Sequence, residues 1–217
     1  MSGASRSDSM SGGGRVAGGP EDKRLLRGAR SRRLVLRQAV DTASLDGLEG
    51  LSFGKLATDT GLSKAGIQTL FKTKETLQLA ALDLAREMFI DAVIRPARAQ
   101  PHGVRRLRAL IEFWISYAET PLFAGGCYIV ANMPEFDSRP GPVRDALVRD
   151  QRDWISTMAH ELRHAIDAGE IADLDADLVA FQIDAVLWAA NTALRLGDTD
   201  VVHKIRRVVE GFLTPPA

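Results

Sequence analysis

Residues 52–77 read SFGKLATDTGLSKAGIQTLFKTKETL, and this stretch restricts the fold more tightly than any other. Two short helices that meet at a steep angle through a tight turn need a particular set of residues. The crossing point takes a small side chain, and Ala57 supplies it. Four residues on, the turn needs a positive φ, which Gly61 adopts without steric cost. Leu56, Leu62, Ile67 and Leu70 fall where a shared apolar core requires them. Ser52 and Ser63 stand where a hydroxyl can accept from the free amides that open each helix. An ordinary helical hairpin also turns on a glycine, but it has no need of the small residue and the four apolar positions as well. The stretch is predicted to be a helix-turn-helix, whose second helix enters the DNA major groove.

Charge is distributed to suit that reading. The chain holds 28 basic and 28 acidic side chains. Residues 22–80 carry eleven basic and six acidic ones, whereas residues 81–217 carry fifteen and twenty. A basic N-terminal part joined to an acidic C-terminal part implies an anionic partner for the first part only. Apolar residues make up 45% and charged residues 26%, as in folded globular proteins. The single cysteine, Cys127, excludes an intramolecular disulfide, fits a reducing cytosol and is expected to be buried and inert. The N-terminus has no apolar core of a signal peptide, and no uncharged apolar run reaches the roughly 18 residues of a membrane span. A cytoplasmic chain with no membrane partner is expected.

Residues 1–21 are rich in Gly and Ser, bury too little apolar surface to offset ordering, and are expected to form a disordered arm. Helical periodicity dominates from about residue 30. Leu34, Leu36, Ala39, Val40, Ala43 and Leu45 fall largely on one side of a first helix, and Gly47 is placed to stop it. The prolines are expected in the arm, between helices or at the C-terminal end. Pro96 and Pro101 separate two helical segments, Pro121 ends the second, and Pro134, Pro140 and Pro142 bracket a short loop. No stretch shows strand alternation bounded by hairpin turns. The fold is predicted to be all-α with about nine helices. A three-helix DNA-binding domain in 22–80 precedes a larger helical domain in 81–217.

Residues 30–80 resemble the DNA-binding domain of TetR-family transcriptional regulators. The first helix ends in the glycine-containing LDGLEGLS, and residues 52–77 match the second and third helices and the start of a long fourth. Phe71, Lys74, Glu75 and Leu77 match the aromatic, lysine, acid and leucine usual at that junction. Residues 81–217 fit the family in architecture, and GGCYIVANMPEFDSRPGPVRDAL is similar to a variant of its C-terminal domain. There are two departures. Gln68 stands where the family usually has tyrosine, and Leu70 where a polar residue or histidine is common. The resemblance implies a sequence-specific DNA-binding regulator rather than an enzyme: a homodimeric repressor, released from its operator by a small-molecule effector.

On that frame Lys64, Ala65, Gln68 and Thr69 are expected to face base edges, and glutamine can pair bidentately with adenine. Lys64 is equally placed for phosphate. Ser52, Ser63, Lys72, Thr73 and Lys74 are placed for the phosphate backbone. Arg32 and Arg33 end the basic run from Lys23, which either lies along the backbone, reaches into the minor groove, or stays a solvated arm. Phe89, Phe113, Trp114, Tyr117, Tyr128, Trp154, Phe181 and Trp188 are candidates for an effector pocket, although aromatics of this kind, Phe123 included, also build ordinary cores. Residues 176–196 are apolar almost all round the helix, which argues burial on both sides. Ala185, Trp188, Val201, Ile205, Val208 and Phe212 are therefore expected at a dimer interface. The fourth helix, 74–94, is expected to be the lever between effector and DNA.

One motif points elsewhere. AHELRHA, residues 159–165, contains His160-Glu161-x-x-His164, the pattern of zinc hydrolases. At about 100° per residue both histidines fall opposite Leu162, on the polar side with Asp153, Thr157 and Asp167. A catalytic zinc also needs a third ligand and a partly dry cavity. Asp184 is the one acid near a suitable spacing, and its helix is built for burial. A zinc-dependent hydrolase is thus the alternative reading, an adventitious surface metal site ranks above it, and a chance match by two solvated histidines is the bland reading. No metal and no cofactor is expected.

Overall fold

The structure, a computed structural model, describes residues 20–120 and 122–215, without the side chains of 20–24. Most of the expected disordered arm, and Pro121, lie outside the described residues. Pro20 and Glu21, assigned to that arm, instead open the first helix, where proline's fixed φ and missing N–H cost nothing.

Among the described residues the chain forms nine helical rods and no strand. The first three are α1 (Pro20–Asp46), α2 (Phe53–Thr60) and α3 (Lys64–Phe71). A fourth, α4, runs as Lys74–Phe89, passes through a π-helical turn at Ile90–Ile94 and ends in Arg95–Ala97. Then follow α5 (Val104–Glu119), α6 (Tyr128–Phe136), α7 (Pro142–Asp167), α8 (Ala176–Arg195) and α9 (Val201–Phe212). No described helix is long and apolar enough to cross a membrane.

α1 buries Val35, Ala39, Val40 and Ala43 completely. Leu34 and Leu45, expected on that side, are 50% and 60% exposed. The i, i+4 row that begins at Val35 faces the core, and Leu34 lies one residue, about 100°, off it. Gly47 stops the helix at φ 75°, and a 3₁₀ turn at Leu48–Gly50 leads to α2. The Ser52 hydroxyl accepts from the Lys55 amide and the Ser63 hydroxyl from the Gly66 amide, capping α2 and α3. Gly61 between them takes φ 69°. Leu56 and Ile67 close the small core fully, with Ala57, Leu62 and Leu70 partly buried against it. α3 ends in a γ-turn: Lys72 has φ 61°, and the Thr73 amide donates to the Phe71 carbonyl at 2.6 Å. Positive φ at a non-glycine residue is a strained choice, of order 1–3 kcal/mol.

Two prolines expected between helices are inside them. Pro134 lies within α6. Pro96 lies in the last turn of α4, directly after the π turn. A π turn shifts the hydrogen-bond ladder by one residue, which suits a proline that has no amide to give. In α9, Val201 and Ile205 are buried inside the subunit. Paired ion contacts from Arg108 to Glu210 and from Arg206 to Glu112, at 2.7–2.8 Å, hold α9 on α5.

The N-terminal helices and the rest of the chain share α4, which runs straight through residue 80, but a second joint was not expected. α6 packs against the end of α1. The Asn132 side chain, completely buried, accepts from the Leu48 amide at 2.8 Å and donates to the Tyr128 carbonyl at 2.8 Å. Gln78 of α4 donates to the Leu48 carbonyl at 2.9 Å, and the Gly125 amide donates to Ser44 at 3.0 Å. A Cβ on Gly125 would lie 1.6 Å from the Ser44 carbonyl oxygen, so the close approach requires glycine there. Asn132→Ala leaves the Leu48 amide buried and unpaired. Urea denaturation is expected to show a loss of about 1–3 kcal/mol; an unchanged midpoint would mean that the joint contributes nothing.

Candidate nucleic-acid interface and ligand cavity

Lys64, Ala65, Gln68 and Thr69 are all exposed on one face of α3, while Ile67 and Phe71 anchor the other. The serine and threonine hydroxyls flanking this face already have work within the protein. Ser52, Ser63 and Thr73 each accept a helix-opening amide, which leaves the O–H of Ser52 and Ser63 free to donate outward, while the Thr73 hydroxyl also pairs with that of Thr76 at 2.8 Å. Lys72 is exposed on its γ-turn. Lys74 is turned inward instead, donating to the Glu49 carbonyl at 2.6 Å and its carboxylate at 2.9 Å. That hydrogen bond holds the Glu49 carboxyl below its usual range. Lys74 reaches a phosphate only by exchanging this pair.

The basic run from Lys23 is helical throughout, part of α1 rather than an arm. Arg32 lies over the Phe71 ring, 4.9 Å from its centre, and so braces the end of α3; Arg33 is exposed.

Between α4, α5, α6, α7 and α8 lies a cavity of about 170 Å³. Six of the eight aromatics expected to line it do so: Phe89, Trp114, Tyr117, Tyr128, Trp154 and Trp188. Phe113 does not, since it sits one residue round from Trp114 and packs into the core. Phe181 does not either; it is 61% exposed on the outer face of α8. Phe89 meets Tyr117 and Trp154 edge-on, at 5.3 and 5.4 Å between ring centres. The π turn brings Ile90 and Ile94 into the same wall.

The polar residues in the lining are Arg86, Arg98, Asp150, Gln151, Asp153, Thr157 and Asp184. Arg86 of α4 bonds Asp150 at 2.6 Å and Asp153 at 2.7 Å, tying α4 to α7. Burial works against the Arg86 charge, but the two carboxylates outweigh it and hold its pKa above the usual value. Arg149 also reaches Asp150, at 3.0 Å. One oxygen of Asp150 and the Tyr128 hydroxyl are buried with no hydrogen-bond partner. Asp184 of α8 has only the Gln151 amide, at 2.5 Å. Burial pushes its pKa up to about 7, against the pull of that hydrogen bond. Cys127 lines the wall as a buried thiol that burial holds above its usual pKa, as expected of an inert cysteine.

Along the outer face of α8, Leu178, Phe181 and Ala185 are exposed, and Val208 of α9 is 37% exposed with Phe212 partly so. Of the residues expected at a dimer interface, Ala185, Val208 and Phe212 belong to this apolar strip. Val201 and Ile205 are spent inside the subunit, and Trp188 faces the cavity. Leu178 and Phe181 join the strip because they precede Ala185 by seven and four residues on the same helical row.

His160 and His164 are at the surface of α7, as expected. Glu161 is not a free base. Its side chain is 4% exposed, and it accepts from the Gly103 amide at 3.0 Å. Asp184 belongs to the cavity and does not join the histidines.

Residues 103–209 match the tetracyclin repressor-like C-terminal domain. No curated protein matches the chain. Among solved structures, the chain is similar to a TetR transcriptional regulator from Chloroflexus aurantiacus, with 28% identity and a TM-score of 0.77, over 87% of this chain and 94% of that one. It shares its fold with AibR, solved with isovaleryl coenzyme A and operator DNA, at 20% identity and a TM-score of 0.70, covering 86% and 99%. A protein from Saccharomonospora viridis, solved with choline, matches at 21% and 0.73, covering 84% and 95%. With the helix-turn-helix at one end, the matched domain at the other and α4 continuous between them, this chain belongs to the TetR family of transcriptional regulators.

Proposed function

We propose that this protein is a dimeric, cytoplasmic repressor that reads a specific DNA site through α3 and releases it when a small organic cation enters the cavity. The observation that carries the effector class is the Asp184 carboxyl, buried among aromatic rings with no cation beside it. Asp150 and Asp153 already have Arg86 and Arg149. A cationic ligand supplies the charge that Asp184 lacks, and Trp154, Trp188 and Tyr128, whose π-systems attract cations, line the same cavity. The choline held by the Saccharomonospora viridis protein is of this chemistry. A cavity of about 170 Å³ is close to the roughly 150 Å³ that holds a benzene, so the ligand is small.

Release follows from what the ligand touches. Arg86 ties α4 to α7 at the cavity wall, and Tyr128, Ile129 and Val130 of α6 form another wall. A turn beyond Tyr128, Asn132 holds Leu48 at the foot of the DNA-binding helices. An occupant that shifts α4 or α6 moves α3. Two α3 helices in a two-fold dimer must sit about 34–36 Å apart to enter successive major grooves. The ligand changes DNA affinity by its preference for the spacing that does not fit. Dimerisation through Leu178, Phe181, Ala185, Val208 and Phe212 sets that spacing. Hydrolysis is the poorer reading, because Glu161 is buried and bonded to backbone, where it cannot activate a water.

Selection from a random duplex pool at near-physiological salt is expected to enrich a palindromic site. Gln68→Ala should lose about 1–3 kcal/mol at that site and little on unrelated DNA; equal losses on both would remove its base-reading role. Lys72→Gly should weaken all sequences alike while relieving the γ-turn, so the free protein becomes about 1 kcal/mol more stable.

The effector test runs on pH. The folded pKa of Asp184, about 7, lies above the unfolded value of about 3.9. The folded state therefore keeps a proton that the unfolded state loses, and stability falls as pH rises from about 4 to 7. Asp184→Asn should flatten that slope and stabilise the protein at pH 8 by on the order of 2–4 kcal/mol. Binding has the opposite sign, since a cation needs the carboxylate. Calorimetry with choline or benzyltrimethylammonium should show about tenfold tighter binding at pH 8 than at pH 6, and none of that dependence in Asp184→Asn. A neutral isostere that binds as well as the cation would overturn the assignment.

A further inference from the structure

We propose that His102, His160 and His164 form a site for one divalent transition-metal ion of the kind that prefers imidazole: zinc, nickel or copper. His160 and His164 stand one turn apart on α7, and His102 reaches them from the loop after α4. One donor atom from each lies within 4.8 Å of the other two. The Nε2 atoms of His160 and His164 are 3.2 Å apart. Two nitrogens held about 2.0–2.1 Å from a tetrahedral ion stand roughly 3.3 Å apart, so this pair is already spaced for a shared ion. The His102 ring centre is 4.4 Å from that of His164 and 5.6 Å from that of His160. Without an ion, one of His160 and His164 can donate to the other; a cation instead gives the lone pairs of all three imidazoles a common partner.

A buried carboxylate behind the histidines is the second observation. Both Glu161 oxygens lie 3.1 Å from His102 Nδ1. A carboxylate there fixes the proton on Nδ1 and leaves the Nε2 lone pair to the ion, the arrangement found behind metal-ligating histidines generally. The glutamate of the His-Glu-x-x-His pattern thus orients the third ligand instead of activating a water. Arg106 opposes the ion. Its guanidinium lies 2.9 Å from His102 Nε2, 3.1 Å from His102 Nδ1 and 3.7 Å from the Glu161 carboxylate; it must give up the histidine contacts, while keeping its bonds to the Gln100 carbonyl at 2.7 and 2.9 Å. Its charge weakens the site, which favours reversible occupancy over permanent loading.

The position gives the ion a consequence, which rests on the regulator reading above. His102, His160 and Glu161 line a second cavity, and Ile94, Arg98 and Thr157 are shared between it and the effector cavity. An ion at the three histidines pins the loop that continues α4 onto α7, beside the π turn. Occupancy therefore restrains the same helix that Arg86 ties to α7.

The test begins on the purified full chain without DNA. Titration with Zn²⁺ or Ni²⁺ in a non-chelating buffer should show one ion per chain, bound at least tenfold more tightly than by His102→Ala. The His102 side chain is about half exposed, so the variant is expected to melt like the parent. Cobalt(II) should give the visible bands of a four-coordinate site, and His102→Ala should lose them. Glu161→Gln should cost about 10–100-fold in affinity. Equal affinity in the parent and His102→Ala would overturn the site, leaving an adventitious helical pair. With an operator in hand, Zn²⁺ should change its affinity in the parent and not in His102→Ala; an equal change in both, or none, would overturn the link to α4. The metal titration needs no DNA, so its failure and a failure of the regulator reading remain distinguishable.

Discussion

α4 belongs to two cores at once, and that double membership is the constraint on which the rest of the molecule depends. Its first half buries Leu77, Ala81 and Leu82 against α1. Its second half carries Arg86, Phe89, Ile90 and Ile94 into the cavity wall. A helix transmits displacement along its length because each turn is bonded to the next, so α4 cannot adjust to a ligand at one end without moving at the other. The π turn at Ile90–Ile94 is the weak place in that rod. It widens one turn, aims Ile90 and Ile94 inward and leaves room for Pro96. A bend at this point changes the cavity and the lever together.

The cavity is costly to keep empty. Unpartnered oxygens on Asp150 and Tyr128 and the burial of the Asp184 carboxyl each oppose folding. The aromatic rings around them, packed edge to face, offset that cost without satisfying it. A cation of the class proposed above would relieve that penalty in the bound state alone, the kind of free-energy difference a ligand needs in order to shift an equilibrium between two states. Asn132 shows the opposite design. It is buried, satisfied on both sides and joins α6 to the Leu48 turn without slack.

Much of this was legible in the sequence because it follows from local rules. Gly47, Gly61, Ser52 and Ser63 do at the backbone what their chemistry requires, so the N-terminal helices and their exposed reading face could be placed. The cavity aromatics were legible as a group but not singly. Phe113 and Trp114 are adjacent in sequence and face different ways, whereas Phe181 and Trp188, seven residues apart and only about 20° different in helical phase, end up one exposed and one lining the cavity. The π turn breaks the 3.6-residue period and leaves no compositional mark. Pro134 and Pro96 mislead for a related reason: proline forbids one hydrogen bond, a loss that the helix around Pro134 tolerates and that the π turn before Pro96 accommodates. Asp184 does leave a signal, an acid in a helix apolar almost all round, but helical phase alone does not say that it lines the cavity and stands apart from the histidines.

The His-Glu-x-x-His pattern makes the same point about motifs. Four-residue spacing guarantees that two histidines share a helix face and nothing more. Whether the glutamate can act on water depends on which side of the helix is solvated, and here the histidine side is. Glu161, one residue on from His160, is turned about 100° towards the interior, where it finds Gly103 and His102. The third imidazole lies 58 residues before His160 in the chain, brought near because α4 and α5 fold back along α7. The grouping of the three imidazoles thus comes from the packing of helices, which no spacing rule reads, while the turn of Glu161 away from the histidine face is a rotation that the same spacing rule already contains.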